Sequence, residues 1–259
     1  RSDSRSANAT SQGITLRGLG GNASSRALLV LDGVPQADPF GGWVAFPAYA
    51  TGRLDRIRVT RGGGSGYWGP GALAGTIELE SAGPATLTPF IGNIAYGSRD
   101  SLDAQASLAL KRDGGFAVVS GAYGRGDGFI PIVARSRGPA DRAAPYEQAS
   151  ANIRAVVQIA PDTEAQVTAT AFTDSRERGT AFSRNSSEGV DAALRLVGRG
   201  NWGWQALAYV QNRNFTSDFA SVNAARTAAT QTLAQFNTPA TGWGGRLELA
   251  PPLGDGITL

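Results

Sequence analysis

The 259-residue sequence contains no cysteine, no histidine and no methionine. Without these residues the chain cannot form disulfide bonds, thiolate nucleophiles, histidine ligands for zinc or Ser-His-Asp triads. A chain free of thiols is compatible with an oxidising periplasm or cell surface, where stray thiols would pair.

Charged residues are also scarce, at 17% of the chain against the usual quarter or so. The 24 basic and 21 acidic residues give a net charge of only +3, and the basic residues are scattered along the chain. Nucleic-acid-binding proteins concentrate their basic residues in patches or runs. The charge pattern therefore predicts no nucleic-acid partner.

Long apolar runs are missing as well. No stretch of about 18 apolar residues exists, so the sequence predicts no transmembrane helix, and residues 1–15 are polar and show no signal peptide. The sequence begins with Arg1 rather than methionine, and residues 256–259 look like the start of a strand. We expect the chain to be part of a longer protein.

Glycine, in contrast, is abundant, with 35 residues, and it is densest between residues 62 and 75. Because glycine costs backbone entropy, such a cluster indicates tight turns, close backbone approach or a loop around a ligand. Predicted strands flank it at 54–61 and 76–80. Upstream, the apolar run at 26–32 predicts a buried strand that ends in the turn Asp32-Gly33.

Residues 64–69 match the GxGxxG pattern of dinucleotide-binding loops. That chemistry needs a helix that begins at the third glycine, with its N–H groups directed at the pyrophosphate. The strand predicted at 76–80 leaves too little room for such a helix, and no acidic residue follows at the required distance. The motif therefore does not predict nucleotide binding.

From Pro84 onward the sequence alternates apolar and polar residues. Within 102–111, for example, leucine and alanine alternate with Asp103, Gln105 and Ser107. This period of two predicts strands with one apolar and one polar face. We predict eight such strands, at 87–97, 101–111, 115–124, 148–160, 163–174, 188–198, 201–214 and 242–250.

The predicted connections between these strands alternate in length, except for a short one near Ser98. Outer-membrane barrels sort their connections in this way, with short turns on one side and long loops on the other. The pattern favours a partial transmembrane antiparallel β-barrel over a soluble protein with one wet face. It predicts tight turns at 113–115, 161–162 and 198–200, and long loops at 126–146, 175–187 and 215–241.

Three ordered motifs before residue 82 resemble the plug domain of TonB-dependent outer-membrane receptors. They are ITLRGLGG, RALLVLDGVPQ and RLDRIRVTRGGGSGYWGPGALAGTIELES. After residue 82 the resemblance lies in the strand pattern alone. The residues that match the family pattern are Arg17, Gly18, Leu31, Asp32, Gly33, Val34, Pro35, Arg56, Ile57, Val59, Arg61, Gly62, Ser65, Gly69, Ala72, Gly75 and Ile77.

The resemblance implies a mainly β fold, in which a small α/β plug fills the lumen of a barrel of about 22 strands. Residues 1–82 would be the C-terminal part of the plug, and residues 83–259 the N-terminal part of the barrel. The barrel's polar faces, including Asp103, Gln105, Arg154 and Arg195, would line the lumen. The plug motif and its contacts with the barrel would involve Arg17, Gly18, Asp32, Gly33, Arg61, Gly62, Gly69 and Gly75.

The implied function is active uptake of a scarce nutrient, such as a ferric siderophore or a similar large ligand, across the outer membrane of a Gram-negative bacterium. The TonB complex would pull on a plug segment that precedes this sequence, and lipid would surround the barrel. The ligand would contact the plug's outward turns, with Asn22, Phe40 and Trp43 as candidates, although both aromatic side chains also suit a buried core. The resemblance implies no enzymatic activity, no catalytic residue, no metal site and no cofactor. A passive porin or adhesin barrel would explain the strands but not the motifs, and a soluble enzyme or binding module would explain the glycines but not the alternation of loop lengths.

The sequence departs from the family pattern at Arg58, where the pattern has a glutamate, and at Gly63 and Ala74. The resemblance implies that this glutamate pairs with arginines between plug and barrel. Here the acid would have to come from Asp55, Glu78 or Glu80. If the pairing follows the family, the substitution Arg58→Glu is expected to be tolerated.

Overall fold

The computed structural model describes residues 27–62 and 70–252, together with residues 8, 10, 13, 14, 16 and 68. In this part of the chain the strands form two sheets, one of four strands and one of eight. None of its helices is long and apolar enough to cross a membrane, and this observation concerns helices alone.

The four-stranded sheet, called the small sheet below, lies before Ala82. Its strand order is β2-β1-β4-β3, with β1 and β4 parallel and the other pairs antiparallel. Leu29, Leu31 and Leu79 pack with Val44 in its core, as the apolar run at 26–32 predicts. Its strands are β1 (Ala27–Leu31), β2 (Val34–Pro35), β3 (Leu54–Arg61) and β4 (Gly75–Ser81).

Short 3-10 turns connect the strands of the small sheet, at Phe46–Ala48, Thr51–Arg53 and Pro70–Ala72. The strand predicted at 76–80 is confirmed as β4 and begins at Gly75. A 3-10 turn and a strand therefore follow the GxGxxG match directly, and this leaves no room for the helix that nucleotide binding requires.

The eight-stranded sheet, called the large sheet below, is antiparallel throughout, and each strand pairs with its neighbours in sequence. This order follows from hairpin connections between consecutive strands. All eight predicted strands are confirmed. They are β5 (Phe90–Gly97), β6 (Ser101–Arg112), β7 (Gly115–Gly126), β8 (Tyr146–Ala160), β9 (Thr163–Glu177), β10 (Arg184–Arg199), β11 (Gly203–Val222) and β12 (Ala229–Ala250).

The two faces of the large sheet differ in polarity, as the alternation predicts. Its apolar side chains are exposed on the outer face, for example Ile153, Val190 and Leu247. The polar side chains Asn152 and Gln211 are buried on the inner face, against which the small sheet lies. This arrangement is the inverse of a soluble protein, in which the apolar face is covered.

Two predicted loops are wrong in extent. Strands β11 and β12 have 20 and 22 residues, and their connection is only 223–228 rather than 215–241. At about 3.3 Å per residue these strands are roughly 70 Å long, whereas a tilted membrane span needs about 9–11 residues. Where the apolar alternation ends, backbone hydrogen bonds still join β11 and β12, so the hairpin continues without an apolar face. The predicted loop at 175–187 shortens to 178–183 for the same reason.

The connection 127–145 is long, as predicted, and it packs on the two neighbouring connections. Arg142 N–H donates to Gly179 O at 2.8 Å, and Asp141 accepts hydrogen bonds from the Arg226 guanidinium. These bonds from Arg226, with the N–H of Gly138, lower the pKa of Asp141 to about 2. The ion pair between the connections therefore persists in mild acid.

Candidate functional site

The turn between β1 and β2 bonds to the end of β4 within the small sheet and also contacts the large sheet. Asp32 accepts hydrogen bonds from Ser81 N–H at 2.9 Å and Ser81 Oγ at 2.6 Å, which ties the ends of β1 and β4 together. Gly33 has φ +87°, and a Cβ at this position would lie 3.3 Å from Arg246 Nη2 and 3.4 Å from Leu207 Cδ2. Gly33 is therefore the place where the turn meets strands β11 and β12.

We expect Gly33→Ala to destabilise the full-length protein by about 1–3 kcal/mol, because a side chain at positive φ is strained and the added carbon crowds the wall. Gly83→Ala is the matched control, since a Cβ at Gly83 meets nothing within 4 Å and should change stability by less than about 0.5 kcal/mol. Denaturant unfolding in detergent measures both variants. Equal midpoints for the two would show that the turn does not need glycine.

Arg53 is a buried cation beneath this turn, and it was not among the residues that the sequence singled out. Its Nη2 donates to Ala48 O at 3.3 Å. Burial lowers the pKa of Arg53, and the nearby carboxylate of Asp32 opposes that effect. Across the interface, Arg154 of β8 donates to Ala82 O at 3.0 Å. These contacts attach the end of the small sheet to the inner face of the large sheet, as predicted for Arg154.

Residues 38–43 form a second turn that packs on the large sheet. The carboxylate of Asp38 accepts the N–H groups of Phe40 at 2.9 Å and Gly41 at 3.0 Å. Burial raises the pKa of Asp38 against the effect of these donors. The Trp43 ring packs on Phe215 of β11, with 5.0 Å between ring centroids. The turn is thus held by its own backbone and by an aromatic contact with the wall.

The candidate ligand contacts fall in different environments. Trp43 is 5% exposed and belongs to the interface with β11, whereas Phe40 is 61% exposed and lies edge-on to Trp43 at 6.3 Å. Asn22 lies outside the described residues. Of the two described candidates, Phe40 is placed where a ligand could touch it, and its role stays a prediction.

Two further contacts hold β2 and the second turn against the large sheet. Gln211 Nε2 donates to Pro35 O at 3.1 Å. A Cβ built on Gly242 would lie 3.2 Å from Pro39 Cβ, so glycine on β12 lets the second turn approach the large sheet closely. For Gln211 and Gly242 the sequence indicates only the alternation that places each residue on the inner face of its strand.

Three more of the predicted motif residues lie at the junction of β3 and β4. Gly62 has φ +72° and donates its N–H to Ala74 O at 2.9 Å. Gly75 has φ +136°, and a Cβ there would lie 2.0 Å from Thr60 O, so no other residue fits. Arg61 ends β3 and is exposed. Arg17, Gly18 and Gly69 lie outside the described residues.

Arg58 of β3 forms ion pairs with two glutamates on the neighbouring strand β4. Its Nη1 is 3.3 Å from Glu78 Oε2, and its Nη2 is 3.1 Å from Glu80 Oε1. All three side chains lie on one solvent-accessible face of the small sheet. The expectation that Arg58→Glu is tolerated therefore changes, because the substitution would place three carboxylates side by side.

We expect Arg58→Glu to destabilise the full-length protein by about 1 kcal/mol, which is the size of a cross-strand charge pair reversed in sign. Arg58→Gln removes the attraction without adding repulsion and should cost less. Unfolding midpoints at low and high salt measure the effect, since screening should shrink the difference between the variants. A variant Arg58→Glu as stable as the parent at low salt would contradict the pairing.

A cavity of about 420 Å³ lies between residues 46–51 and the inner face of β5–β9. It adjoins the strand ends that carry the long connection 127–145. The side chains that define its chemistry are Phe46, Thr51, Asn93, Asp103, Gln105 and Arg176. Asp103 and Gln105 were predicted to face the lumen, and the cavity places both on the inner face.

Buried ion pairs lie in the wall beside the cavity. Arg176 Nε donates to Asp174 Oδ1 at 2.7 Å, and Gln148 Nε2 donates to the same oxygen at 3.0 Å. Arg213 forms a bidentate pair with Asp191 and lies over the Phe172 ring, 5.0 Å from its centroid. These charges neutralise each other within the sheet. In the described part of the chain no cluster of acidic side chains could hold a metal ion.

Residues 2–76 match the family model of the TonB-dependent receptor plug domain. No curated protein matches the sequence. Among solved structures, the siderophore receptor PirA of Acinetobacter baumannii has a TM-score of 0.62 at 13% identity, with 93% of this chain and 39% of that chain covered.

The copper transporter OprC has a TM-score of 0.63 at 17% identity, with 88% of this chain and 36% of that chain covered. A variant of the ferric enterobactin receptor PfeA of Pseudomonas aeruginosa has a TM-score of 0.61 at 13% identity, with 93% and 40% covered. The chain therefore spans about two fifths of the length of these receptors. At these identities the similarity shows a shared fold.

Proposed function

We propose that this chain, which contains a TonB-dependent receptor plug domain at residues 2–76 and has the fold of those receptors, belongs to an outer-membrane receptor for a scarce nutrient. Residues 1–82 would be plug and residues 83–259 barrel wall. The observation that carries the proposal is the seating of a plug-type small sheet on the polar inner face of a sheet whose apolar face points outward.

The outer face of the large sheet supports a position in lipid. Ile94, Trp243 and Leu247 are each more than two thirds exposed, and in water such a surface would favour aggregation. Lipid removes that penalty, because an antiparallel wall with alternating faces presents only apolar side chains to the bilayer. We therefore assign the protein to the outer membrane of a Gram-negative bacterium.

The plug would act as a gate rather than as a catalyst. Its turns at Asp32-Gly33 and at residues 38–43 hold it on β11 and β12, and the cavity beside residues 46–51 adjoins the rim with the long connections. A ligand would enter from that rim, and the TonB complex would then displace the plug from the wall. The siderophore, iron and copper receptors of similar fold support a metal chelate or similar small molecule as the ligand.

Two measurements on the full-length protein test the proposal. We expect it in the outer-membrane fraction, with faster migration in gels before heating than after. We also expect growth on its nutrient to require both the receptor and an intact TonB complex. Growth that persists in a strain without TonB would favour the alternative of a passive porin, and recovery in the soluble fraction would exclude a membrane receptor.

A further inference from the structure

The cavity between residues 46–51 and the large sheet offers amide and hydroxyl groups rather than free cations. Asn93, Gln105 and Thr51 line it together with the carboxylate of Asp103 and the ring of Phe46, which is partly exposed. Amides and hydroxyls both donate and accept hydrogen bonds, and an aromatic ring packs on the apolar face of a ligand. This set of groups suits an uncharged, hydrogen-bonding ligand.

Among the described residues that line the cavity, Arg176 carries the positive charge, and an ion pair with Asp174 already neutralises it. Both Nε and Nη2 donate to the carboxylate of Asp174, at 2.7 and 2.5 Å. The pair is almost completely buried, with side-chain exposures of 1% and 3%. Arg53 contributes no atom to the lining. An anionic ligand would therefore lose its hydration without gaining a cationic partner, which is costly, and it would also meet the Asp103 carboxylate.

Uncharged polar side chains also lie on the inner face of the large sheet beside the cavity. Asn185 is the cross-strand neighbour of Arg176 on one side and of Ser217 on the other. Asn185, Ser187 and Ser217 are all buried, and their side-chain oxygen and nitrogen atoms have no hydrogen-bond partner within the described part of the protein. These side chains are uncharged, so they add no cation to the wall beside the cavity.

We propose that the cavity selects uncharged, hydroxyl- or amide-bearing ligands and disfavours anionic chelates. Neutral trihydroxamate chelates of iron and neutral oligosaccharides share this chemistry. The proposal rests on the receptor function for the identity of the natural ligand, while the charge preference is a property of the cavity itself and can be measured separately.

Thiol-reactive probes measure that preference directly. The chain has no cysteine, so Thr51→Cys places a single thiol from this chain at the cavity, and Thr60→Cys on the exposed strand β3 is the control. Modification rates with neutral and anionic methanethiosulfonate reagents are compared on the full-length receptor in detergent. Rates are normalised to those of free cysteine.

We expect the anionic reagent to react at least about fivefold more slowly than the neutral reagent at Thr51→Cys, which corresponds to about 1 kcal/mol of unfavourable electrostatic energy. The two reagents should react about equally at Thr60→Cys. Equal or faster modification of Thr51→Cys by the anionic reagent would overturn the proposal and would leave the receptor function untouched.

Binding titrations supply the second arm. The neutral probes are ferrichrome, from the trihydroxamate chelates, and maltohexaose, from the oligosaccharides. Ferric enterobactin is the anionic probe. We expect one neutral probe to bind, and Gln105→Ala to weaken it about tenfold, whereas Gln158→Ala, near a short turn at the opposite rim, should not. Preference for ferric enterobactin, or binding of no neutral probe, would overturn the proposal, while the dependence of growth on TonB tests the receptor function independently.

Discussion

Oxidation of a full-length receptor that carries Pro39→Cys and Gly242→Cys is expected to abolish uptake of its nutrient. A Cβ at Gly242 would lie 3.2 Å from Pro39 Cβ, close to the separation of about 3.8 Å in natural disulfides. The bond would fasten the turn at residues 38–43 to β12. If transport requires the turn to leave the wall, uptake should fall by more than about tenfold, as expected when an obligatory conformational step is blocked.

Reduction with dithiothreitol should restore uptake, which separates locking from misfolding. The control disulfide Ala206→Cys with Leu247→Cys joins cross-strand neighbours of β11 and β12 and does not touch the small sheet. It should leave uptake unchanged in either redox state. Uptake at the parental rate with the Pro39–Gly242 disulfide fully formed would mean that this turn stays on the wall during transport.

The substitution Asp174→Ala is expected to destabilise the full-length protein by about 3–5 kcal/mol. It would leave the guanidinium of Arg176, which is 1% exposed, as a buried charge without its carboxylate partner, and removal of one member of a buried pair has that cost. The Gln148 amide would lose its acceptor as well. Heat-modifiable migration and denaturant unfolding should both shift to milder conditions.

Arg199→Ala is the matched control on the same sheet. Arg199 pairs with Glu164 at 3.1 Å, but the two side chains are 60% and 22% exposed. A solvent-exposed ion pair contributes about 0–1 kcal/mol, so this variant should unfold almost like the parent. If Asp174→Ala were as mild as Arg199→Ala, water or another partner would have to satisfy Arg176 in the variant.

Period-two alternation was a reliable guide to the large sheet because each strand there has one apolar outer side and one polar inner side. Ile153 and Asn152 are adjacent in the sequence, but Ile153 is exposed and Asn152 is buried. The alternation of apolar and polar residues predicts this difference. The same signal failed for residues 215–241, because strand pairing does not itself require an apolar face. Strands β11 and β12 continue there through backbone hydrogen bonds, which any polar sequence can form.

The candidate site was less predictable than the fold. The turn glycines Gly33, Gly62 and Gly75 could be identified because their backbone conformation excludes other residues. In contrast, Trp43 was equally compatible with a ligand contact and a core position, and only its packing on Phe215 distinguishes them. Arg53 carries no local signal, since its burial depends on chain segments distant in sequence.

By itself the sequence determined the strand periodicity, the sheet order that hairpins impose, and the plug motif with its required glycines. These are local properties, set by side-chain alternation and by the φ angles that each residue allows. Tertiary structure alone decided that Glu78 and Glu80 pair with Arg58, that Asp174 neutralises Arg176, and that amides, hydroxyls and the Asp103 carboxylate line a cavity between the two sheets. Such features depend on which distant side chains meet, and a linear sequence does not specify the partner of a charge.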